Sequence, residues 1–318
     1  MEKQIQQSDQ NNFNNRHLSP IGKEFAYFTA NLGHIFPGLD LQEQVILYKK
    51  LKNYSSRQAH LNLRGGLKPS SCPSQLRYLA SGRPCMFVSF HFGSYRSLPL
   101  QILAQGRSVC VLLSKDVFDL YQKYYCRLLG SGQPKESCPR LYLLRAEDST
   151  LFFKLRSMQK AGVPLFIYAD GDRGALKDPS GKGLSKIQLG SAEMMVRSGY
   201  LEIAHLLNME VHLLLDHSPD PLSQDQLDAR IFCYKLKKYD SKKDFVQNGL
   251  KGIYEKFHAS LRKAPALWEA LLYLHRYNLP KSSINQWNTK ERLLGFTSDS
   301  KSYALDRFTY RKYPLGDS

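Results

Sequence analysis

Short continuous apolar runs alternate along this chain with stretches in which apolar residues recur every three or four positions. A short apolar run bounded by turn residues is typical of a strand buried on both faces, and a period of three to four is typical of an amphipathic helix. The runs predict strands at 85–90, 108–113, 141–144, 164–169, 211–215 and 230–236.

The periodic stretches predict helices before, between and after these strands. Their ranges are 39–58, 94–104, 117–129, 151–158, 191–207, 245–261 and 266–277, and a glycine-rich basic loop is expected over 171–190. Strands that alternate with helices in this way predict an α/β fold. We expect a single domain with a largely parallel central sheet that is covered by helices on both faces.

The ends of the chain differ from this pattern. Residues 1–20 are polar and rich in Gln and Asn, which predicts a flexible polar leader. The α/β domain is expected to span 21–280. Residues 281–318 form a C-terminal extension that retains aromatic residues such as Trp287, Phe308 and Tyr310, so it is expected to pack on the domain.

Composition narrows the class of protein. The chain has 318 residues, 42% of them hydrophobic, so a large core can form and wholesale disorder is excluded. No apolar run approaches the roughly 18–20 residues that span a bilayer, and the N-terminus lacks the apolar stretch of a signal peptide. The cysteines form no CxxC pair, and Cys85 and Cys110 lie in apolar runs as expected of buried free thiols. We expect a cytoplasmic protein without structural zinc.

The charge is strongly basic. Lys and Arg number 45 and Asp and Glu 28, so the formal net charge is +17. Such a charge favours nucleic acid, an anionic membrane surface, a phosphorylated substrate or an acidic carrier protein as partner. Common catalytic motifs are absent: 176–183 fails the P-loop pattern at both ends, and GxSxG, GxGxxG and HExxH do not occur.

Two predicted loops carry ionisable groups beyond the carboxyl ends of strands, where ligands bind in open α/β sheets. In the first loop, His91 ends a strand while Gly93 and Ser94 open a helix. An imidazole beside free backbone N–H groups suits a general base that faces an oxyanion. The alternative is a strand-end histidine satisfied by structural hydrogen bonds.

The second loop follows the strand at 164–169. Either Asp170 or Asp172 is placed to orient a histidine, and the cations Arg173, Lys182 and Lys186 suit the phosphate groups of a substrate or carrier. The alternative is an ordinary solvated loop.

Four segments in a fixed order resemble the lipid A lauroyl/myristoyl acyltransferase branch of the lysophospholipid acyltransferase-like superfamily. They are His-Phe-Gly-Ser-Tyr at 91–95, Ala-Asp-Gly-Asp-Arg-Gly at 169–174, Ile-Gln-Leu-Gly at 187–190 and Pro-Ala-Leu-Trp at 265–268. The resemblance covers roughly 36–277. It implies transfer of a fatty acyl group from a CoA or acyl-carrier-protein thioester to a hydroxyl or amine, in a ternary complex without metal or covalent intermediate.

The resemblance also implies roles for residues. His91 would be the base, Gly93 and Ser94 would shape the oxyanion site, and Asp172 or Asp170 would assist. The substrate or donor would be held by a further set: Tyr95, Arg96, Arg173, Lys182, Lys186 and Gly190. No cofactor beyond the thioester donor is implied, and the acceptor would be a small molecule or a lipid.

Two departures from the family pattern matter. Arg96 stands where the family has Asp or Glu, and the family's N-terminal apolar anchor helix is missing. The first departure keeps open a catalytically inactive relative that binds lipid or carrier protein. The second favours a cytoplasmic location. The alternative is that the protein makes peripheral contact with an anionic inner membrane. A basic nucleic-acid-binding protein is the third reading, although no nucleic-acid motif supports it.

Overall fold

The computed structural model describes residues 22–64, 84–129, 139–170, 183–218, 231–276, 279–287 and 291–315. The predicted leader at 1–20 lies outside these ranges. All statements below concern the described residues.

A six-stranded sheet forms the centre of the molecule, in the order β3-β2-β4-β1-β7-β8. Neighbouring strands are parallel except at one edge, where β8 pairs antiparallel with β7. The largely parallel α/β fold is therefore confirmed. The strands are β1 (Cys85–Ser89), β2 (Val109–Leu113), β3 (Leu141–Arg145), β4 (Leu165–Tyr168), β7 (Glu210–Asp216) and β8 (Ile231–Lys235).

Helices cover both faces of this sheet. The sequence pattern missed α1, although ten of its thirteen residues are buried. The helices are α1 (Lys23–Ile35), α2 (Leu41–Arg64), α3 (Leu98–Ala104), α4 (Lys115–Leu129), α5 (Leu151–Lys160), α6 (Gly199–Leu206) and α7 (Lys242–Lys263). A reciprocal capping box starts α2: the Glu43 N–H donates to Asp40 at 2.8 Å, and the Asp40 N–H donates to Glu43 at 2.9 Å.

The central strand β1 shows why the apolar runs predict the sheet well. Met86 and Val88 point into the larger core, which also contains side chains of α1, α2 and α7. Cys85 and Phe87 point into a smaller core with side chains of α3 and α4. A strand covered on both faces has no polar side, and all five residues of β1 are buried. Cys85 and Cys110 are buried free thiols, as predicted.

Beyond residue 170, three sequence predictions of secondary structure were wrong. The second half of the predicted loop at 171–190 is strand β5 (Leu184–Leu189), and the predicted helix at 191–207 begins as strand β6 (Ala192–Arg197) before α6. These two strands form an antiparallel hairpin in which buried and exposed residues alternate. That period of two was mistaken for loop and helix.

The third wrong prediction is the helix at 266–277, which is a series of 3-10 turns: Pro265–Leu267, Glu269–Leu272 and Leu274–Arg276. Its buried side chains lie in two rows that each repeat every three residues, which is the 3-10 repeat: Leu267 and Ala270 in one, and Trp268, Leu271 and Leu274 in the other.

The C-terminal extension builds a separate, three-stranded antiparallel sheet from β9 (Leu293–Ser298), β10 (Lys301–Asp306) and β11 (Lys312–Pro314). It contacts the first two helices through buried polar groups. The Arg307 guanidinium donates to the Thr29 carbonyl at 3.1 Å and to the Gln44 side chain at 2.6 Å. The His34 ring bonds the Phe308 carbonyl at 3.0 Å.

Of the helices described, none combines the length and the apolar character needed to cross a bilayer.

Candidate active site

The sheet brings His91 and Asp170 together. Strands β1 and β4 are parallel neighbours, and Ser89 at the end of β1 pairs with Tyr168 at the end of β4. His91 and Asp170 each follow two residues later, at the carboxyl edge of the sheet. This placement at the strand ends is the one that the sequence analysis predicted for both residues.

The carboxylate of Asp170 is bound from three directions. The Nδ1 atom of His91 lies 2.8 Å from Oδ1 of Asp170. The backbone N–H of His91 donates to both carboxylate oxygens, at 3.1 and 3.0 Å. The indole N–H of Trp268 donates to Oδ2 at 2.6 Å. Because only 5% of the Asp170 side chain is exposed, these donors replace water and fix the carboxylate against the imidazole.

This arrangement decides which nitrogen of His91 is available. The contact with a carboxylate places the proton on Nδ1, so Nε2 carries the free lone pair. Within the described residues, Nε2 has no hydrogen-bond partner, and 17% of the His91 side chain is exposed. Burial lowers the pKa of His91, but the charge and hydrogen bond of Asp170, helped by Glu269, raise it more, and the net pKa is raised. His91 is thus an oriented base whose protonated form is stabilised.

The backbone around His91 is held by the turns at 265–276. Phe92 and Trp268 form an antiparallel bridge, the Gly93 N–H donates to the Leu267 carbonyl at 2.9 Å, and the Glu269 N–H donates to the His91 carbonyl at 2.9 Å. This clamp places the Trp268 indole against Asp170. It contains the Pro-Ala-Leu-Trp segment, so the sequence pointed to the residue without revealing its role.

Gly93 is needed for its backbone and the space around it. Its φ is +62°, and a Cβ at this position would lie 1.8 Å from the Asp216 carbonyl oxygen. A side chain fits neither the backbone conformation nor the space. The predicted oxyanion role of the Gly93 N–H is wrong, because that group already donates to Leu267. The predicted helix start at Ser94 is a 3-10 turn (Tyr95–Ser97), and α3 begins only at Leu98.

Arg96 does not contact the imidazole as the family's carboxylate would. Its guanidinium lies 5.1 Å from the centre of the Tyr95 ring and 5.9 Å from that of Tyr121, and Nη2 lies 3.9 Å from Oε1 of Glu269. Tyr95 is 1% exposed and donates its hydroxyl to Glu269 at 2.9 Å. Tyr95 therefore supports the site from within, and its contact with a substrate stays a prediction.

Tyrosine rings surround the imidazole. The centres of the Tyr95, Tyr168 and Tyr273 rings lie 4.7, 5.1 and 6.5 Å from that of His91. Burial raises the pKa of all three hydroxyls well above 10, so they stay neutral at physiological pH. Sequence reasoning missed Glu269, Tyr168 and Tyr273, because they come from separate segments without a shared spacing.

The other predicted site residues lie elsewhere or outside the described residues. Lys186 is on β5 and forms an ion pair with Glu193 across the hairpin at 2.5 Å. Gly190 is the hairpin turn, with φ +60°, and a Cβ there would lie 2.6 Å from the Ile35 carbonyl oxygen. Its role is therefore structural. Asp172, Arg173 and Lys182 fall in the undescribed range 171–182.

Across the described ranges, no group of three or more His, Cys, Asp or Glu side chains is arranged to hold a metal ion. The site thus consists of a carboxylate-bound imidazole with one open nitrogen, a neutral aromatic surround, and an Arg–Glu pair beside it. No model of a known protein family matches the sequence, and a search of curated proteins finds no match.

Proposed function

We propose that this protein is an acyltransferase, which moves a fatty acyl group from a CoA or acyl-carrier-protein thioester to a hydroxyl or amine. The observation that carries the proposal is the His91–Asp170 contact at 2.8 Å, with Nε2 left without a partner by the residues that the structure describes. A hydroxyl or amine is a weak nucleophile until a base takes its proton, and an imidazole so held is suited to do this near neutral pH.

The proposed reaction proceeds in one ternary complex. Nε2 of His91 takes the proton as the acceptor attacks the thioester carbonyl, and the carbon–sulfur bond breaks. Asp170 stabilises the imidazolium, which returns the proton to the leaving thiolate. Of the two residues to which the resemblance gives the oxyanion site, Gly93 and Ser94, the Ser94 backbone N–H makes no hydrogen bond within the described residues and is the donor that we propose.

A groove of about 300 Å³ suits the acyl chain of the donor. One charge of each sign, on Glu43 and Arg262, adds to an otherwise apolar lining: Phe36, Leu39, Ile46, Leu47 and Pro265. Leu47 lies on the same face of α2 as Tyr54 and Gln58, which contact the Ser94 hydroxyl at 3.1 Å and the Gly93 carbonyl at 2.7 Å. The lining also includes Pro265, which lies three residues before Trp268, the residue whose indole N–H donates to Asp170.

The case for an inactive relative rested on the missing carboxylate at Arg96. Asp170 is a carboxylate on the imidazole, so this argument loses its basis. The charge of +17 suits the acidic carrier protein or the phosphates of CoA. We place the reaction in the cytoplasm, where both donors occur.

The test is incubation of the protein with lauroyl-CoA or lauroyl carrier protein and a cell-extract pool of acceptors. Mass spectrometry should detect a lauroylated product whose formation matches release of the thiol. The absence of any acylated product with both donors would contradict the proposal. Salt-sensitive binding of duplex DNA in such a preparation would instead favour the nucleic-acid reading.

A further inference from the structure

We propose that Arg96 and Glu269 together bind a zwitterionic acceptor, namely the carboxylate and the ammonium group of an amino acid. This inference rests on the proposed acyl transfer and names the class of acceptor. Its basis is an uncommon juxtaposition: a cation and an anion, each partly exposed, beside the open nitrogen of a buried base.

The two side chains are held rigidly. The Arg96 guanidinium lies against the Tyr95 and Tyr121 rings, with 5.1 and 5.9 Å to their centres. Oε2 of Glu269 accepts the Tyr95 hydroxyl at 2.9 Å. Cation–π contact and a hydrogen bond thus fix both groups before any ligand arrives, which reduces the entropy that binding must overcome.

The pair is not saturated by its own partners. Nη2 of Arg96 and Oε1 of Glu269 are 3.9 Å apart, which is beyond hydrogen-bond distance. Their side chains are 29% and 26% exposed, so both are open to solvent. A guanidinium has five N–H donors and is well shaped for a carboxylate, while a carboxylate oxygen is a good acceptor for an ammonium group.

The pair is also next to the base. The Glu269 N–H bonds the His91 carbonyl at 2.9 Å, and the Tyr95 ring that supports Arg96 lies 4.7 Å from the His91 ring. The other local carboxylate, Asp170, is 5% exposed and faces inward. Among the described residues, Arg96 and Glu269 are therefore the partly exposed charged pair beside an acceptor at Nε2.

Opposite charges select against singly charged acceptors. A phosphate or a simple carboxylate is attracted by Arg96 but repelled by Glu269. A simple ammonium group is attracted by Glu269 but repelled by Arg96. A molecule with both groups pairs each with its counter-charge.

The bound ammonium group first releases one proton to solvent. The resulting amine attacks the thioester carbonyl carbon, so a carbon–nitrogen bond forms and the carbon–sulfur bond breaks. A second proton passes from the nitrogen to Nε2 of His91 and on to the thiolate. The products are an N-acyl amino acid, a free thiol and one proton in solution.

The test compares three acceptor pools with lauroyl-CoA: the standard amino acids, their amides, which lack the carboxylate, and the matching 2-hydroxy acids, which lack the ammonium group. Arg96→Gln should lower the ratio of kcat/KM for amino acids to that for amides about tenfold or more, because only the amino acids have a carboxylate for the guanidinium. Glu269→Gln should lower the ratio of kcat/KM for amino acids to that for 2-hydroxy acids about tenfold or more, because the ratio cancels any change in the base His91 that both acceptors share. Arg96→Lys, which keeps the charge without the planar fork, should fall between wild type and Arg96→Gln.

The outcomes separate the two claims. Equal acylation of all three pools, or acylation of cell-extract acceptors alone, overturns this inference but still supports the proposed acyltransferase activity. The same follows if the variants are folded by circular dichroism and do not change the ratios. No acyl transfer to any acceptor, the cell extract included, overturns the proposed function and this inference with it.

Discussion

At the scale of single residues, the chemistry of His91 depends on Asp170. Replacing Asp170 with Asn keeps the shape of the side chain but removes the charge that raises the pKa of His91. An amide also permits the wrong imidazole tautomer. We expect turnover to fall about a hundredfold or more, and the acid limb of the kcat/KM profile to move to lower pH.

The measurement is a pH–rate profile of acyl transfer for the wild type and Asp170→Asn. Glu193→Gln is the matched control, since it removes a carboxylate on the β5–β6 hairpin, where Glu193 pairs with Lys186. An unchanged profile for Asp170→Asn would remove this carboxylate from the mechanism.

Trp268 is a positioning residue in this account. Trp268→Phe keeps an aromatic ring beside Phe257, whose ring centre lies 5.1 Å away, and removes the N–H that donates to Asp170. Without this hydrogen bond the buried carboxylate of Asp170 is held less firmly against His91. We therefore expect kcat to fall about tenfold with little change in KM. Steady-state kinetics with varied donor and acceptor check this split. A change confined to KM would assign Trp268 to substrate binding instead.

At the scale of elements, helix α2 links the apolar groove to the active-site loop. If the acyl chain lies in the groove, Leu47→Trp shortens the space for it. The variant should then prefer shorter chains, for instance octanoyl over palmitoyl, more strongly than the wild type does. Competition between CoA thioesters of different length measures this preference. Lys49→Trp, at an exposed position of the same helix, is the control. A preference unchanged by Leu47→Trp would place the chain elsewhere.

The elements also show what sequence patterns can and cannot predict. Strands β1 and β4 were predicted well because both their faces are covered, so they appear as unbroken apolar runs. The β5–β6 hairpin was missed because its alternation of buried and exposed residues was mistaken for loop and helix. Helix α1 was missed although its burial is extensive.

Distances between loops are the other limit of sequence reasoning. Its two carboxylate candidates, Asp170 and Asp172, are two residues apart, and no spacing shows which one meets His91. The pairing of β1 with β4 brings Asp170 there. Likewise, the sequence predicted a free N–H at Gly93, but this N–H donates to Leu267, which lies more than 170 residues away in the chain.

At the scale of the whole molecule, buried histidines couple stability to pH. Burial is the main cause that lowers the pKa of His34, His212 and His275 to about 4. Each is neutral in the fold but is protonated near pH 6.5 when unfolded, so its stabilisation is present above that pH and is lost as the pH falls toward 4. His91 acts in the opposite sense, because its pKa is raised.

We therefore expect the free energy of unfolding to be lower at pH 4.5 than at pH 7. His34 is the clearest contributor, since Nδ1 accepts the Ser282 N–H at 3.0 Å while Nε2 donates to Phe308 at 3.0 Å, and a doubly protonated ring breaks the first bond. His34→Gln should show a smaller pH-dependent loss than the wild type or the His205→Gln control. Urea unfolding at both pH values measures this; equal losses in all three proteins would contradict it.

The central claim is that His91 is the general base of an acyl transfer, and its replacement tests this most directly. The measurement is the rate of acyl transfer from lauroyl-CoA by the wild type, His91→Ala and the control His205→Ala, with folding of each checked by circular dichroism. We expect His91→Ala to lose about 10²- to 10⁴-fold in rate while His205→Ala stays near wild type. A folded His91→Ala protein that transfers acyl groups at the full rate would contradict it.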